Sequence, residues 1–110
     1  MTHAAPWLSQ YGSVPATLDY PKLTMYRMVL RICRDHPELP AYEFMGCRTT
    51  YRQLEARLDR TARALYALGI RSGDRVTICM PNMPQAVDMF YALNKLGAVA
   101  NMVHPLSAPS

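Results

Sequence analysis

The apolar positions of this chain switch between helical and strand spacing in a readable order. Met25, Met28, Val29, Ile32 and Cys33 recur at i, i+3, i+4, i+7 and i+8, one face of a 3.6-residue period. The spacing predicts a helix over residues 24–35, capped by Thr24 and ended by His36-Pro37, because the residue before proline avoids helical backbone. Arg27, Arg31 and Arg34 fall on its other face, and the two methionines read as core filler. Residues 41–45 (AYEFM) alternate and carry aromatics, as a strand does. Gly46-Cys47 supplies a tight reversal and Arg48-Thr49 a short return strand.

A long helix follows. Thr50 and Gln53 form a capping box at its start, and Tyr51, Leu54, Leu58, Ala62, Leu65 and Leu68 make its buried stripe. Glu55, Asp59, Arg60 and Arg63 share the opposite side, and Gly69 stands where a left-handed cap is needed. After the turn Arg71-Ser72-Gly73-Asp74, residues 75–80 (RVTICM) read as a strand buried on both faces. Pro81 stops it. Asn82 and Gln85 are a cap pair for a helix over 84–96, whose wide apolar arc leaves only Asp88 and Lys95 for water. Gly97 caps that helix and residues 98–103 form the next strand; 104–110 read as a loop. The order is helix, hairpin, helix, strand, helix, strand. The fold class is α/β: a hairpin plus a right-handed βαβ unit, with helices packed on a mixed sheet. Residues 1–23, rich in turn formers, read as an extended arm with Trp7, Leu8 and Tyr11 as its anchor.

Composition narrows the function. With 110 residues, 50% apolar and 18% charged, the chain is one modest globular unit or part of a larger one. The net charge is +4, and seven of the twelve basic residues are arginines between Arg48 and Arg75. They alternate with acids, so they read as a solvated helix face and not as a nucleic-acid patch. Three cysteines, Cys33, Cys47 and Cys79, lie far apart with no CxxC, which points to a reducing cytoplasm and no disulfide framework. Three scattered histidines give no metal-ligand spacing. No secretory signal is visible at the N-terminus, and no window approaches the ~20 apolar residues of a membrane span.

Candidate chemistry is sparse. The five glycines are isolated, each with a turn or cap explanation, so no phosphate-cradling loop is present. Cys79 and His104 both stand near strand ends, but a structural thiol beside a loop histidine explains them better than a nucleophile and its base. Ligands bind at the carboxyl ends of parallel strands, which singles out Asn82 and His104 as substrate-proximal candidates. For Asn82 the competing account is the helix cap. For His104, ligand contact and an ordinary loop role stand side by side.

Beyond these local readings, the ordered series Ala41-Tyr42-Glu43-Phe44-Met45-Gly46, Thr50-Tyr51-Arg52-Gln53-Leu54, Ala62-Arg63-Ala64-Leu65 and Leu68-Gly69-Ile70 resembles the opening of the AMP-forming acyl-CoA synthetases. The resemblance continues through Gly73-Asp74-Arg75-Val76, Met80-Pro81-Asn82-Met83-Pro84, Tyr91-Ala92, Lys95-Leu96-Gly97-Ala98-Val99 and Pro105. It implies an incomplete piece of the N-terminal domain of the adenylate-forming fold, occupying residues 24–110 and shortened after 110. It also implies a family reaction in which ATP converts a carboxylic or fatty acid to an acyl-adenylate, releasing pyrophosphate, before coenzyme A takes the acyl group. ATP, Mg²⁺, coenzyme A and the acid are then ligands of a full-length enzyme. The family's catalytic lysine, phosphate loop and ribose-binding aspartate map onto nothing here, so no catalytic, cofactor-binding or metal residue is assigned. On this reading the chain is scaffold, inactive alone. The alternative is a non-catalytic interaction module that docks on a separate ligase part or self-associates, because the apolar arc of 84–96 would be bare in so short a chain. No nucleic-acid partner is expected.

Overall fold

A computed structural model describes residues 5–106. It contains helix α1 (Met25–Asp35), strands β1 (Pro40–Phe44) and β2 (Cys47–Thr50), helix α2 (Tyr51–Ala67), strand β3 (Arg75–Cys79), helix α3 (Pro84–Leu96) and strand β4 (Val99–Val103). The architecture is α/β. β1 and β2 pair antiparallel, β3 and β4 pair parallel, each as a two-stranded ladder of its own, and the helices pack on them. The described part of the N-terminal arm includes a short 3-10 helix, Pro6–Gln10. Trp7 is largely exposed and is not the anchor expected of it, whereas Leu8 and Tyr11 are half-buried. Residues 1–4 of that arm and 107–110 of the closing loop lie outside the described residues.

The hairpin turns one residue earlier than the sequence suggests. Phe44 pairs with Cys47, so the loop is Met45-Gly46, and Cys47 belongs to β2. Both loop residues have positive φ, 51° and 83°. Two-residue hairpins favour that conformation because its twist matches the flanking strands. At the end of β2 the expected capping box is present: Gln53 N–H donates to the Thr50 hydroxyl (3.2 Å) and Gln53 Oε1 accepts from Thr50 N–H (2.9 Å). Leu54, Leu58, Ala62 and Leu65 of α2 are buried. Leu68, expected in that stripe, is 80% exposed; it is the cap residue, and the chain turns at Gly69 so that Ile70 packs on the core instead.

α2 is the shared wall of two apolar clusters. One gathers Ala62, Leu65, Ile78, Ala92 and Leu93 between α2, α3 and β3; the other gathers Cys33, Leu54 and Leu58 beneath α1 and the hairpin. Leu58 and Leu93, essentially inaccessible, each contribute ~2 kcal/mol of burial free energy. Burial also raises the Cys33 thiol above its ordinary pKa, since the thiolate is the form that loses solvation; Glu55 adds to this.

Of the face predicted for α1, Val29 and Cys33 turn to the core and Met25, Met28 and Ile32 do not. Cys33 is buried, with Tyr26, Val29 and Leu30 partly so, while Met25, Met28 and Ile32 stay exposed at 51%, 40% and 40%. The methionines are therefore not core filler. Tyr26 sets the rotation: its N–H donates to Asn94 Oδ1 of α3 (2.8 Å) and its ring lies under Lys95, which turns positions 26, 29, 30 and 33 inward.

The parallel pair is covered on one face only, against the expectation of burial on both. Val76 and Ile78 point to the helices, whereas Arg75, Thr77 and Cys79 are exposed, as are Val99, Asn101 and Val103 beside them. Across that open face Asn101 Nδ2 donates to Thr77 Oγ1 (3.3 Å). Both helices sit on the other side, so the low polarity of RVTICM reports a strand with one buried face.

α3 ends at Gly97, in the left-handed region (φ 77°), where a Cβ would meet Ser72 Oγ at 2.8 Å. Gly97→Ala is expected to lower stability by ~1–2 kcal/mol, from backbone strain and the clash. Thermal denaturation with and without Ser72→Gly separates the two causes: removing the hydroxymethyl should restore only the clash component.

Candidate functional site

The ladder brings the two substrate-proximal candidates to one end of the molecule. Cys79 is level with Val103 across the parallel pair, so Asn82 follows β3 and His104 follows β4 at the same, carboxyl, end. Asn82 is not the helix cap. Met83, with extended backbone, is the N-cap of α3 and makes no side-chain cap bond; Pro84 as first helical residue has no N–H to satisfy. Asn82 is exposed and lines a groove of about 380 Å³ with Tyr42, Phe44, Met83, Phe90 and Met102. His104 is exposed and does not line that groove. Its Nδ1 accepts the N–H of Leu106 (3.1 Å), and no hydrogen bond joins it to Cys79. The two candidates share an end of the sheet but not a cleft.

A second cleft, about 600 Å³, opens between the hairpin and α2 and is lined by Arg48, Gln53, Arg57, Arg60, Thr61 and Asp88. Asp88 was expected to face water and is instead 6% exposed. Arg57 of α2 stands opposite and explains this: its Nε and Nη2 both donate to Asp88 Oδ2, at 3.0 and 2.6 Å. The pairing raises the Arg57 guanidinium above its ordinary value, chiefly through the hydrogen bonds. Asp88 Oδ1 and the Tyr42 hydroxyl are both buried without a hydrogen-bond partner. The sequence signal for this pair was weak, because one acid on a mostly apolar helix marks a wet strip as well as a buried partner.

Half of the remaining charged residues are similarly matched. Arg48 pairs with Glu43 (3.2 Å), Arg52 with Glu38 and Arg63 with Asp59 (3.1 Å). Lys95 also reaches Asp59 (2.9 Å), and that hydrogen bond holds the Asp59 carboxyl below the usual carboxylate range. Arg71 is spent on the carbonyls of Tyr66 and Ile70 and lies 3.5 Å over the Tyr66 ring. The arginine-rich stretch thus works mainly as lattice and solvated face. Among the described residues no group of three or more His, Cys, Asp or Glu side chains could hold a metal ion. Glu38, Glu43, Glu55, Asp59 and Asp88 all have cationic partners, and Asp74 accepts the N–H of Arg71, so these six of the eight carboxylates do not fit Mg²⁺. Among the described residues no helix is long and apolar enough to cross a membrane.

An antiparallel hairpin and a parallel βαβ pair, joined through a capping-box helix, define an α/β unit. Comparison with known proteins identifies its class: the model of the AMP-binding enzyme family matches residues 29–110, and the chain belongs to this family. A long-chain-fatty-acid–CoA ligase of Bacillus subtilis (strain 168) is 28% identical over 107 residues, 96% of this chain and 19% of the relative. The long-chain-fatty-acid–CoA ligase FadD13 of Mycobacterium tuberculosis (strain H37Rv) is 45% identical over 76 residues, 66% of this chain and 15% of the relative. The solved structure of a Mycobacterium tuberculosis fatty acyl CoA synthetase superposes with a TM-score of 0.73 at 38% identity, over 77% of this chain and 17% of that one. The chain thus spans less than a fifth of the length of each of these.

Proposed function

We propose that this chain is a scaffold portion of an ATP-dependent acid–thiol ligase, one that joins a carboxylic or fatty acid to coenzyme A with release of AMP and pyrophosphate, and that it has no ligase activity alone. One observation carries the reading: residues that follow the family's pattern act here as structure. Thr50 and Gln53 cap α2, Gly97 caps α3, Asp74 closes a turn by accepting from Arg71 N–H (2.7 Å), and Pro84 starts a helix. None of them presents a free nucleophile or base to a cleft.

The chemistry explains why such a portion is silent. A carboxylate is a poor electrophile until one oxygen belongs to a good leaving group. Reaching that state requires charge on the triphosphate to be offset while the acid oxygen attacks. The carboxylates and most of the arginines described above are already held by one another. ATP, Mg²⁺ and coenzyme A are therefore ligands of the whole enzyme. Asn82 and His104 stay proposed as residues near the substrate only in that setting, at the carboxyl end of the parallel pair. A cytoplasmic location accords with three unpaired cysteines.

Carboxylate-dependent ATP–pyrophosphate exchange on the purified chain is the test. No exchange above background is expected with short, medium or long acids. Clear acid-dependent turnover would overturn the reading.

A further inference from the structure

We propose that helix α1, with the residues leading into it, is a docking surface for an anionic lipid surface. The proposal does not depend on the ligase reading. Its starting point is the rotation of α1, which leaves an apolar ridge outside: Met25, Met28 and Ile32, at i, i+3 and i+7, are exposed at 51%, 40% and 40%. Leu23, 38% exposed, stands at the helix entrance, and the two residues around it, Lys22 and Thr24, are exposed. A ridge of this kind gains free energy from any apolar phase it can enter while the helix stays packed on its inner face.

The charge pattern decides what covers it. At 100° per residue, Arg27, Arg31 and Arg34 lie on the flank adjoining the ridge. Arg27 and Arg31 are exposed and belong to none of the ion pairs among the described residues; Arg34 makes one loose contact with Glu55 (3.7 Å). These three arginines and Lys95 line one shallow cleft, with Asp35 as its single acid. On α2, Arg52, Arg57 and Arg63 are matched to acids, and so is Lys95 of α3; Arg27 and Arg31 have no such partner and stand beside apolar side chains. An interfacial helix needs that arrangement: apolar side chains enter the acyl boundary while cations at the ridge edge meet lipid phosphates.

Two other occupants fit less well. A second copy docking through the same face about a two-fold axis would set Arg27 and Arg31 against their own equivalents, like charge on like. A single-stranded nucleic acid would use outward aromatics to stack its bases, and the aromatic residue of α1, Tyr26, is turned inward under Lys95.

Co-sedimentation of the 110-residue chain with vesicles tests the proposal. It should bind phosphatidylcholine vesicles doped with phosphatidylglycerol, bind pure phosphatidylcholine at least tenfold more weakly, and release as salt rises. Arg27→Gln with Arg31→Gln should weaken binding to the anionic vesicles roughly thirty-fold. Met28→Ser with Ile32→Ser should weaken it about tenfold or more. Circular dichroism establishes that each variant keeps its helices. As an independent measurement, the tryptophan of a Trp7→Phe, Met28→Trp variant should be quenched by brominated acyl chains in anionic vesicles alone. Equal binding to neutral vesicles, binding insensitive to salt or to both double variants, or a dimer that shields position 28 from quencher would each overturn it.

Discussion

Arg57→Ala is expected to lower stability by ~3 kcal/mol, more than any other single change on the polar side of α2. The reason is the asymmetry of a buried ion pair. Asp88 is 6% exposed and takes two hydrogen bonds from one guanidinium, so truncating Arg57 leaves a desolvated carboxylate with nothing to offset it. The magnitude belongs at the lower end of the usual ~3–5 kcal/mol, because the Arg57 side chain is about a third exposed and water reaches its position. Chemical denaturation checks the loss. The companion result discriminates the cause: Arg57→Met with Asp88→Leu, which removes both charges and keeps the volume, should recover most of the stability. Asp88→Asn, which keeps an acceptor for Arg57, should fall between.

The second large effect is in the core. Leu58→Ala is expected to cost ~3–4 kcal/mol, the transfer free energy of the lost methyl groups plus the cavity left behind. Leu58 is 1% exposed and lies between the hairpin, α1 and α3, where Tyr42, Val87 and Tyr91 cannot all collapse inward. In a chain of this size that is a large share of the whole stability, so the thermal transition should broaden or vanish at room temperature. Leu68→Ala, at the last position of the same predicted stripe, should change almost nothing, since Leu68 is 80% exposed.

The contrast between Leu58 and Leu68 shows what was legible in the sequence. Regular spacing placed α2, its capping box and its inner stripe, because a helix in a two-layer fold must bury one face whatever its neighbours are. It could not say where the stripe ends, which depends on the Gly69 turn handing the next core position to Ile70. On α1 the predicted face, Met25, Met28, Val29, Ile32 and Cys33, overlaps the observed one, Tyr26, Val29, Leu30 and Cys33; the Asn94 and Lys95 contacts of α3, distant in sequence, choose the second. Asp88 is buried against the pattern for a like reason, since its partner stands 31 positions earlier in the chain. The hairpin moved by one residue because the geometry of a two-residue turn outweighs the preference for glycine at its first position. At the site, the sequence located the carboxyl end of the parallel pair and the residues leaving it. It did not resolve that Asn82 enters a groove while His104 turns back on its own loop, because that is decided by Met83 capping α3 and by Leu106 N–H.

The position of α2 between both apolar clusters has a thermodynamic corollary. Neither cluster can lose its packing without loosening a wall of the other. The α1–hairpin side and the βαβ side are therefore coupled, and heat should take them apart in a single cooperative event with matching calorimetric and van't Hoff enthalpies.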